Sequence, residues 1–413
     1  MAQQVDVVVV GAGAAGLVAG IDLCRAGFDV RVVERSGAAG GRLATGVVDG
    51  FRLDRGFQVL NTSYPQVRRR LDLAALDVGT LTPGALVRTG DRLRRVVNPL
   101  RVLRSAPATV AAGVLGPADL ARLGVYSASA GFDAPARIRA RADVSAHAAF
   151  RAAGLSETAI DRFLRPFLAG VLLETELATS RRFVDLVWRS FVRGNSVLPA
   201  LGIGQVGEQL ATQLPAGTLM LDTPVDGVSA TAVHTRAGTI HASAVVVAAD
   251  PVTASTWLGL SPPTMRAVVT YYHRSSAPVL GESVIVLDGD AGGPVINTLE
   301  LTASLPAYAP AGSTLISSSV LDPSVGEAAV RGHLERLYGT STADWDLVAR
   351  VEVPAALPAF PAGSPMRTAS TVDGIFVAGD HRATPSLQGA MASGTAVARA
   401  VRAELGGGAH TPA

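Results

Sequence analysis

Cysteine and lysine are what this chain has least of. Cys24 stands alone among 413 residues, so no intramolecular disulfide can form, and its place inside a helical apolar pattern reads as a buried structural thiol. Lysine is absent: all 36 basic residues are arginine, set against 34 acidic ones for a formal net charge of +2. Beside 44 glycines and abundant alanine and valine, the arginine-only usage reflects coding bias rather than mechanism. A charge so near zero gives no reason to expect a nucleic acid partner. Apolar residues make up 48% of the chain and the mean hydropathy is +0.33, yet no run reaches the roughly 18 apolar residues of a spanning helix. The N-terminus lacks the basic region of a secretory signal, so a cytoplasmic location is expected. The seven histidines show no metal-ligand spacing, and no metal is expected.

What is present gathers at the two ends. Residues 5–10 form an apolar strand pattern, followed by Gly11-Ala12-Gly13-Ala14-Ala15-Gly16, a helical run, a second apolar strand and Glu34-Arg35. In that order Gly11 permits a tight turn, Gly13 lets the backbone approach a pyrophosphate, and Gly16 lets the helix pack closely on the strand. The helix start at Ala14 and Ala15 offers free N–H groups and a positive dipole end to phosphates. Glu34 closes the second strand where a carboxylate can accept hydrogen bonds from a ribose. Strand, turn, helix and acid in register predict dinucleotide binding.

Further on come Gly40-Gly41-Arg42, then Asp54-Arg55-Gly56-Phe57-Gln58, and near the far end Gly379-Asp380 after a short apolar strand, with Gln388-Gly389-Ala390 behind it. On these residues the chain resembles the flavin oxidoreductases that group amine oxidases, protoporphyrinogen oxidases and phytoene desaturases with carotene isomerases. The resemblance implies FAD, held non-covalently because Cys24 lies far from the C-terminal region where some amine oxidases attach their flavin. It implies that Glu34, with Arg35 beside it, serves the adenosine ribose. Gly40, Gly41 and Arg42 would run beside the flavin and pyrophosphate, and Gly56, Phe57 and Gln58 would reach the flavin. A backbone amide at Val225 would face the adenine. Gly379 and Asp380 would contact the ribityl-phosphate arm, and the helix carrying Gln388, Gly389 and Ala390 would point at the isoalloxazine.

The fold class implied is α/β: a Rossmann-like FAD-binding domain (GR2-type) with a discontinuous α+β substrate domain. At about 150 residues per domain, the length allows two or three. Residues 1–80 open the FAD domain, 81–185 read as a helical substrate or cap region, and 186–250 return to the FAD domain with a strand ribbon at 218–249. Residues 251–350 read as the substrate-domain sheet, with strands near 267–273 and 283–287, and 351–413 close the FAD domain. Ser156 is expected to cap a helix, and the last eight or so residues to be disordered. Gly202-Ile203-Gly204-Gln205-Val206-Gly207 repeats the glycine spacing. No strand pattern runs into it, so it reads as a structural turn rather than a nicotinamide site. Residues 92–104 interleave arginine with apolar residues. They read as a solvated helical face broken at Pro99, with contact to an anionic membrane surface as the alternative.

Electron transfer is the cofactor's chemistry, so the protein has to orient substrate and tune the ring. Gln58 is the leading catalytic candidate, joined by Tyr272 and His273 on a substrate-domain strand whose alternation turns Tyr272 away from Tyr271 and His273. His381, directly after Gly379-Asp380, is a further candidate. The stretches 54–58 and 163–167 look closer to the phytoene desaturase and carotene isomerase branch, or to protoporphyrinogen oxidase-like proteins, than to amine oxidases. Many amine oxidases place a lysine that holds a water near flavin N5, which this chain cannot do, and its 5% aromatic content disfavours an aromatic cage. The expected function is hydride transfer from a largely apolar small molecule to FAD, desaturating or oxidising it, with oxygen or a quinone as acceptor. A flavin amine oxidase, a redox-neutral double-bond isomerase and a non-catalytic FAD-binding subunit stay open as alternatives.

Overall fold

The computed structural model describes residues 3–97 and 112–407. Residues 98–104 of the arginine-rich stretch and 408–413 of the tail expected to be disordered lie outside them. The valine-rich strand Gln3–Val10 is the centre of a parallel sheet, between Val30–Val33 on one side and Gly238–Val247 on the other. Leu219–Met220 extends the sheet beyond Val30–Val33, and Ile375–Val377 pairs parallel with the last residues of Gly238–Val247. The first residues of that long strand instead carry the antiparallel ribbon Ala232–Thr235 and Val225–Val228. Both faces of the central strand are covered, which is why its sequence reads as a continuous apolar run. Val7 and Val9 pack with the helices Ala14–Cys24 and Leu387–Gly407, while Val8 and Val10 pack with Val233, Val245 and Ala254. Cys24 is half-buried against the first of these clusters, and burial pushes its thiol up.

The second sheet runs Asp346–Pro358, Met265–Ser275, Thr314–Val320, Val295–Glu300, Ile285–Asp288, Ala85–Thr89, Arg92–Val96. The helix Glu327–Tyr338 packs on one face through Val330, Leu334 and Leu337. The other face meets a helical cap that includes Pro117–Phe132, Arg165–Leu172 and Arg181–Arg193. Ser156 accepts from the Ala159 N–H at 3.1 Å, as expected of a cap. Its helix passes through a π turn at Ile160–Leu164 just before Pro166, whose missing N–H interrupts the regular ladder.

Three expectations are corrected here. Residues 85–96 form a hairpin rather than a helix. Val87 faces the cap and Leu86 the opposite cluster, so burial on both sides erases the alternation that marks a strand. Within the hairpin Arg95 pairs with Glu282 and Arg94 donates to the Ala112 carbonyl. The strand Asp346–Pro358 runs through the boundary placed at 351, and the helix Arg181–Arg193 through the one at 185. A short strand, Ser196–Leu198, does precede the second glycine pattern, but it belongs to a small antiparallel sheet with Leu60–Asn61 and Gly79–Thr80. That second pattern braces a loop. The N–H groups of Ile203 and Gly204 donate to Asp54 and Thr45, and a Cβ at Gly207 would stand 2.5 Å from the Gly40 Cα.

Candidate active site

The parallel strands Val30–Val33, Gln3–Val10, Gly238–Val247 and Ile375–Val377 end along one edge of the sheet, which is where such sheets bind ligands. Gly11 turns there with φ +104, and a Cβ on it would stand 2.6 Å from the Ala248 oxygen. A Cβ on Gly16 would fall 1.9 Å from the Gly11 oxygen, whereas one on Gly13 would meet nothing within 4 Å. The chain therefore keeps open space over Gly13 beside a helix, Ala14–Cys24, whose start has no side-chain cap and no acidic residue in its first turn. Those are the features a pyrophosphate requires. Glu34 Oε2 accepts from the Ala12 N–H at 2.9 Å, and its Oε1 accepts from the Ser36 N–H and Oγ at 3.0 and 2.7 Å. The carboxylate is thus locked onto the glycine turn. Glu34 also bonds through its backbone to Met220 and Thr223, which brings the start of the ribbon at Val225 alongside. Arg35 is exposed at this edge.

The two ends of the chain meet through Gly40-Gly41-Arg42. The Gly40 N–H donates to the Ala12 oxygen at 2.8 Å, setting the loop against the first turn. Arg42 then reaches Asp380 Oδ1 at 2.6 Å and the Ala356 carbonyl at 2.8 Å. Burial works against the Arg42 charge, but Asp380 outweighs it and holds the guanidinium above its ordinary pKa. The Gly379 N–H donates to Ser393 Oγ at 2.8 Å. His381 is pushed down to about 4, chiefly by burial, and its Nδ1 is buried without a partner. The last helix starts at a Ser386 cap, where Oγ accepts from the Gly389 N–H at 3.0 Å and the Ser386 carbonyl from the Ala390 N–H. Gln388 Oε1 accepts from the Gln66 N–H at 2.9 Å. The open space over Gly13, the uncapped helix start and the unpartnered His381 Nδ1 all fit a dinucleotide laid along this edge.

Beside Arg42 opens a cavity of about 360 Å³, in the size range of ligand sites. One wall is the segment Arg55–Val59 with Asn61 and Tyr64; the opposite wall is the helical cap. Phe163 and Phe167 stack at 5.8 Å, and Phe167 meets Trp188 and Phe191 edge-on at 5.9 and 5.3 Å. Trp188 satisfies its own N–H on Ser127 Oγ at 2.9 Å. Gly56, Phe57 and Gln58 all line the cavity. Gln58 Nε2 donates to the carbonyls of Arg42 and Arg55 at 2.9 and 3.0 Å. Burial pushes the Tyr64 phenol up to about 12, so it stays a hydrogen-bond donor.

Tyr272 and His273 do not line this cavity. Tyr272 is sealed and donates to the Asp54 carbonyl at 2.8 Å. His273 lies on the other face of its strand, between Tyr271 and Trp345, with its Nε2 3.4 Å from Glu327 but outside hydrogen-bond geometry. Strand alternation points His273 at the helix Glu327–Tyr338 and Tyr272 at Asp54, the last residue of the strand Phe51–Asp54. Neither of these two expected catalytic candidates reaches the cavity; both are packed inside the protein. Sequence reasoning passed over Asp54 itself, a buried hub that accepts from Thr45, Ile203 and Tyr308 at 2.6, 2.9 and 2.8 Å. Burial raises its carboxyl, with those donors pulling the other way. It also passed over Asn61, Tyr64 and Asn297 on the cavity wall. An aspartate two residues before Gly56 was a usable signal for the first; nothing local marks the others.

A family model described as flavin containing amine oxidoreductase matches residues 14–402. Among solved structures, an oxidoreductase from Methanosarcina mazei is similar with a TM-score of 0.74 and 16% identity, over 95% of this chain and 100% of that one. A putrescine oxidase, solved bound to putrescine, is similar with a TM-score of 0.70 and 19% identity, over 98% and 100% of the two chains. Cyclohexylamine oxidase from Brevibacterium oxydans follows at a TM-score of 0.67 and 18% identity, over 97% and 99%. No curated protein matches by sequence. Likeness at these identities establishes the fold and leaves the substrate open.

Proposed function

Because the chain belongs to the flavin-containing amine oxidoreductase family, its cofactor is a flavin and its chemistry an oxidation–reduction, and we propose that it binds FAD non-covalently and desaturates or oxidises a largely apolar small molecule. A bound flavin supplies an acceptor for a hydride. Glu34, the Gly11–Gly16 turn, Gly40–Arg42, Val225, Gly379–Asp380 and the start of the last helix would hold it; the cavity would hold the substrate. One observation carries the substrate class: among the described residues no aspartate or glutamate lines the cavity, whose cap wall is built from Leu120, Leu123, Phe163, Phe167, Trp188 and Phe191. An ammonium group would lose its hydration there without meeting an anion. The absence of lysine points the same way, since no ammonium side chain can position a water for amine chemistry. The residues themselves exclude water, orient the substrate against Gln58, and leave reoxidation to oxygen or a quinone.

The test is anaerobic mixing of the purified holoprotein with amines, porphyrinogens, and polyenes or other apolar alkenes, following flavin absorbance and products. Bleaching by apolar compounds, with a desaturated or oxidised product, is the expected outcome. Bleaching by amines alone would overturn the substrate class. Product formed only after prior reduction, with no net change in flavin state, would replace oxidation by isomerisation.

A further inference from the structure

Two carboxamides on different strands of the cavity wall have polar atoms that the protein does not satisfy. Asn61 is 2% exposed, and its Oδ1 accepts from the Ser63 N–H at 2.9 Å and from Ser63 Oγ at 2.6 Å. That pair fixes the amide's orientation, because a backbone N–H requires an oxygen, and it leaves Nδ2 as a donor with no partner. Asn297, 5% exposed, sits on the substrate-domain sheet opposite Ser319, another cavity residue. Its Oδ1 has no partner. The backbone makes room for both. A Cβ at Gly194 would stand 2.2 Å from Asn61 Oδ1, and one at Gly170 would stand 2.1 Å from Asn297 Nδ2. Buried amide groups are almost always paired, and one left unpaired in a cavity wall favours whatever ligand completes it.

The charges narrow the ligand further. Arg42 is neutralised by Asp380, Arg55 is exposed, and among the described residues no carboxylate lines the wall. We propose that the substrate is uncharged, with an apolar body against the aromatic cap and an oxygen function, hydroxyl or carbonyl, bound by Asn61 and Asn297. Asn61 Nδ2 donates to either kind of oxygen; the Asn297 amide, which no protein hydrogen bond orients, accepts from a hydroxyl through its oxygen. This deepens the functional reading above and rests on it for the location of the substrate. A site built to complete a substrate's hydrogen bonds also rejects the analogue that lacks them.

The experiment titrates the holoprotein with decane, decanol, methyl octyl ketone, decylamine and decanoate, reading the perturbation of the flavin absorbance as a measure of binding. Two variants accompany it. Asn61→Asp keeps the acceptor for Ser63 and removes the donor; Asn297→Val removes the amide at similar volume. Decanol and the ketone should each bind about tenfold or more tightly than decane, decylamine or decanoate. Asn61→Asp should weaken the ketone about tenfold, Asn297→Val should weaken decanol about tenfold, and decane should change in neither. Flavin content, read from the visible band, verifies folding; a merely structural role would lower flavin content or weaken every ligand alike. Tightest binding by decylamine, or by decanoate through Arg55, overturns the inference. So does an unchanged order in both flavin-replete variants, or a spectrum that no compound perturbs. Selective binding without bleaching would sink the proposed reaction and leave the recognition standing.

Discussion

Arg42 and Asp380 tie the first and last segments of the chain together across the site. The guanidinium spends one nitrogen on Asp380 and another on the Ala356 carbonyl, a fork that an ammonium cannot reproduce. Arg42→Lys should therefore cost flavin occupancy despite keeping the charge. Asp380→Asn should cost more, because it strands a half-buried cation. We expect the fraction of protein retaining flavin after gel filtration to fall at least tenfold in Asp380→Asn, with Arg42→Lys in between; full retention in both would remove the pair from the cofactor bed. At the same scale Gln58 and His273 separate cleanly. Gln58→Leu removes the one cavity-wall amide braced by both Arg42 and Arg55, and kcat/KM on the substrate found by the mixing assay should drop about tenfold or more. His273→Phe swaps a buried ring whose nitrogens have no hydrogen-bond partner for an apolar one, and kcat/KM should stay within about twofold of wild type. A large loss in His273→Phe, measured on folded protein, would return that residue to the chemistry.

Elements meet in this fold at glycines. The first and last helices approach so closely that a Cβ at Gly394 would stand 2.2 Å from the Ala15 oxygen. Backbone on both sides leaves nothing to swing aside, so Gly394→Val should destabilise by about 1–3 kcal/mol or more, the range for overpacking. Chemical denaturation of the apoprotein measures this directly, and a midpoint unchanged from wild type would contradict the packing. What was legible in the sequence follows the same physics. The Gly11–Gly16 turn, the acid at Glu34 and the Gly379–Asp380 motif each carry their geometry within a few residues, so the parallel sheet and its binding edge could be read locally. The ribbon at 225–247 showed its alternation because one side of it faces solvent. The hairpin at 85–96 did not, because Leu86 and Val87 are buried on opposite faces of its first strand and its arginines find partners 18 and 187 residues away. Tyr272 and His273 were placed on the right strand and the right faces, but which face holds the cavity is settled by the cap, whose helices lie far away in sequence. Asn61 and Asn297 are legible only once two distant glycines are known to make room for them.

At the scale of the whole molecule, buried titrating groups in both sheets set how stability responds to acid, one of them where the last strand and helix close the parallel sheet. His381 sits there with its pKa held down at about 4 against an ordinary 6.5, chiefly by burial. The native ring is neutral at pH 7 and stays neutral until about pH 4, whereas the unfolded chain takes up the proton near 6.5. Between those values the unfolded state binds more protons, so stability must fall as pH falls. A shift of this size corresponds to about 3 kcal/mol as an upper bound, lost across that window. His273 is lowered in the same direction, also chiefly by burial, and adds to the same window. Asp288 works lower on the scale. Despite burial, its hydrogen bonds from His333, Arg336 and two backbone N–H groups hold the carboxyl well below the usual range, so its contribution is present above the ordinary carboxylate pKa and is lost as pH falls below it. The two windows are separable by urea titration at a series of pH values from 7 to 2. His381→Asn should flatten the decline between about pH 6.5 and 4 and leave the steeper loss below pH 4 intact; Asp288→Asn should do the reverse, at a lower stability throughout. Identical slopes in wild type and His381→Asn would mean that the ring at the closure is already solvated, and that the junction between the first and last segments of the chain is looser than its packing indicates.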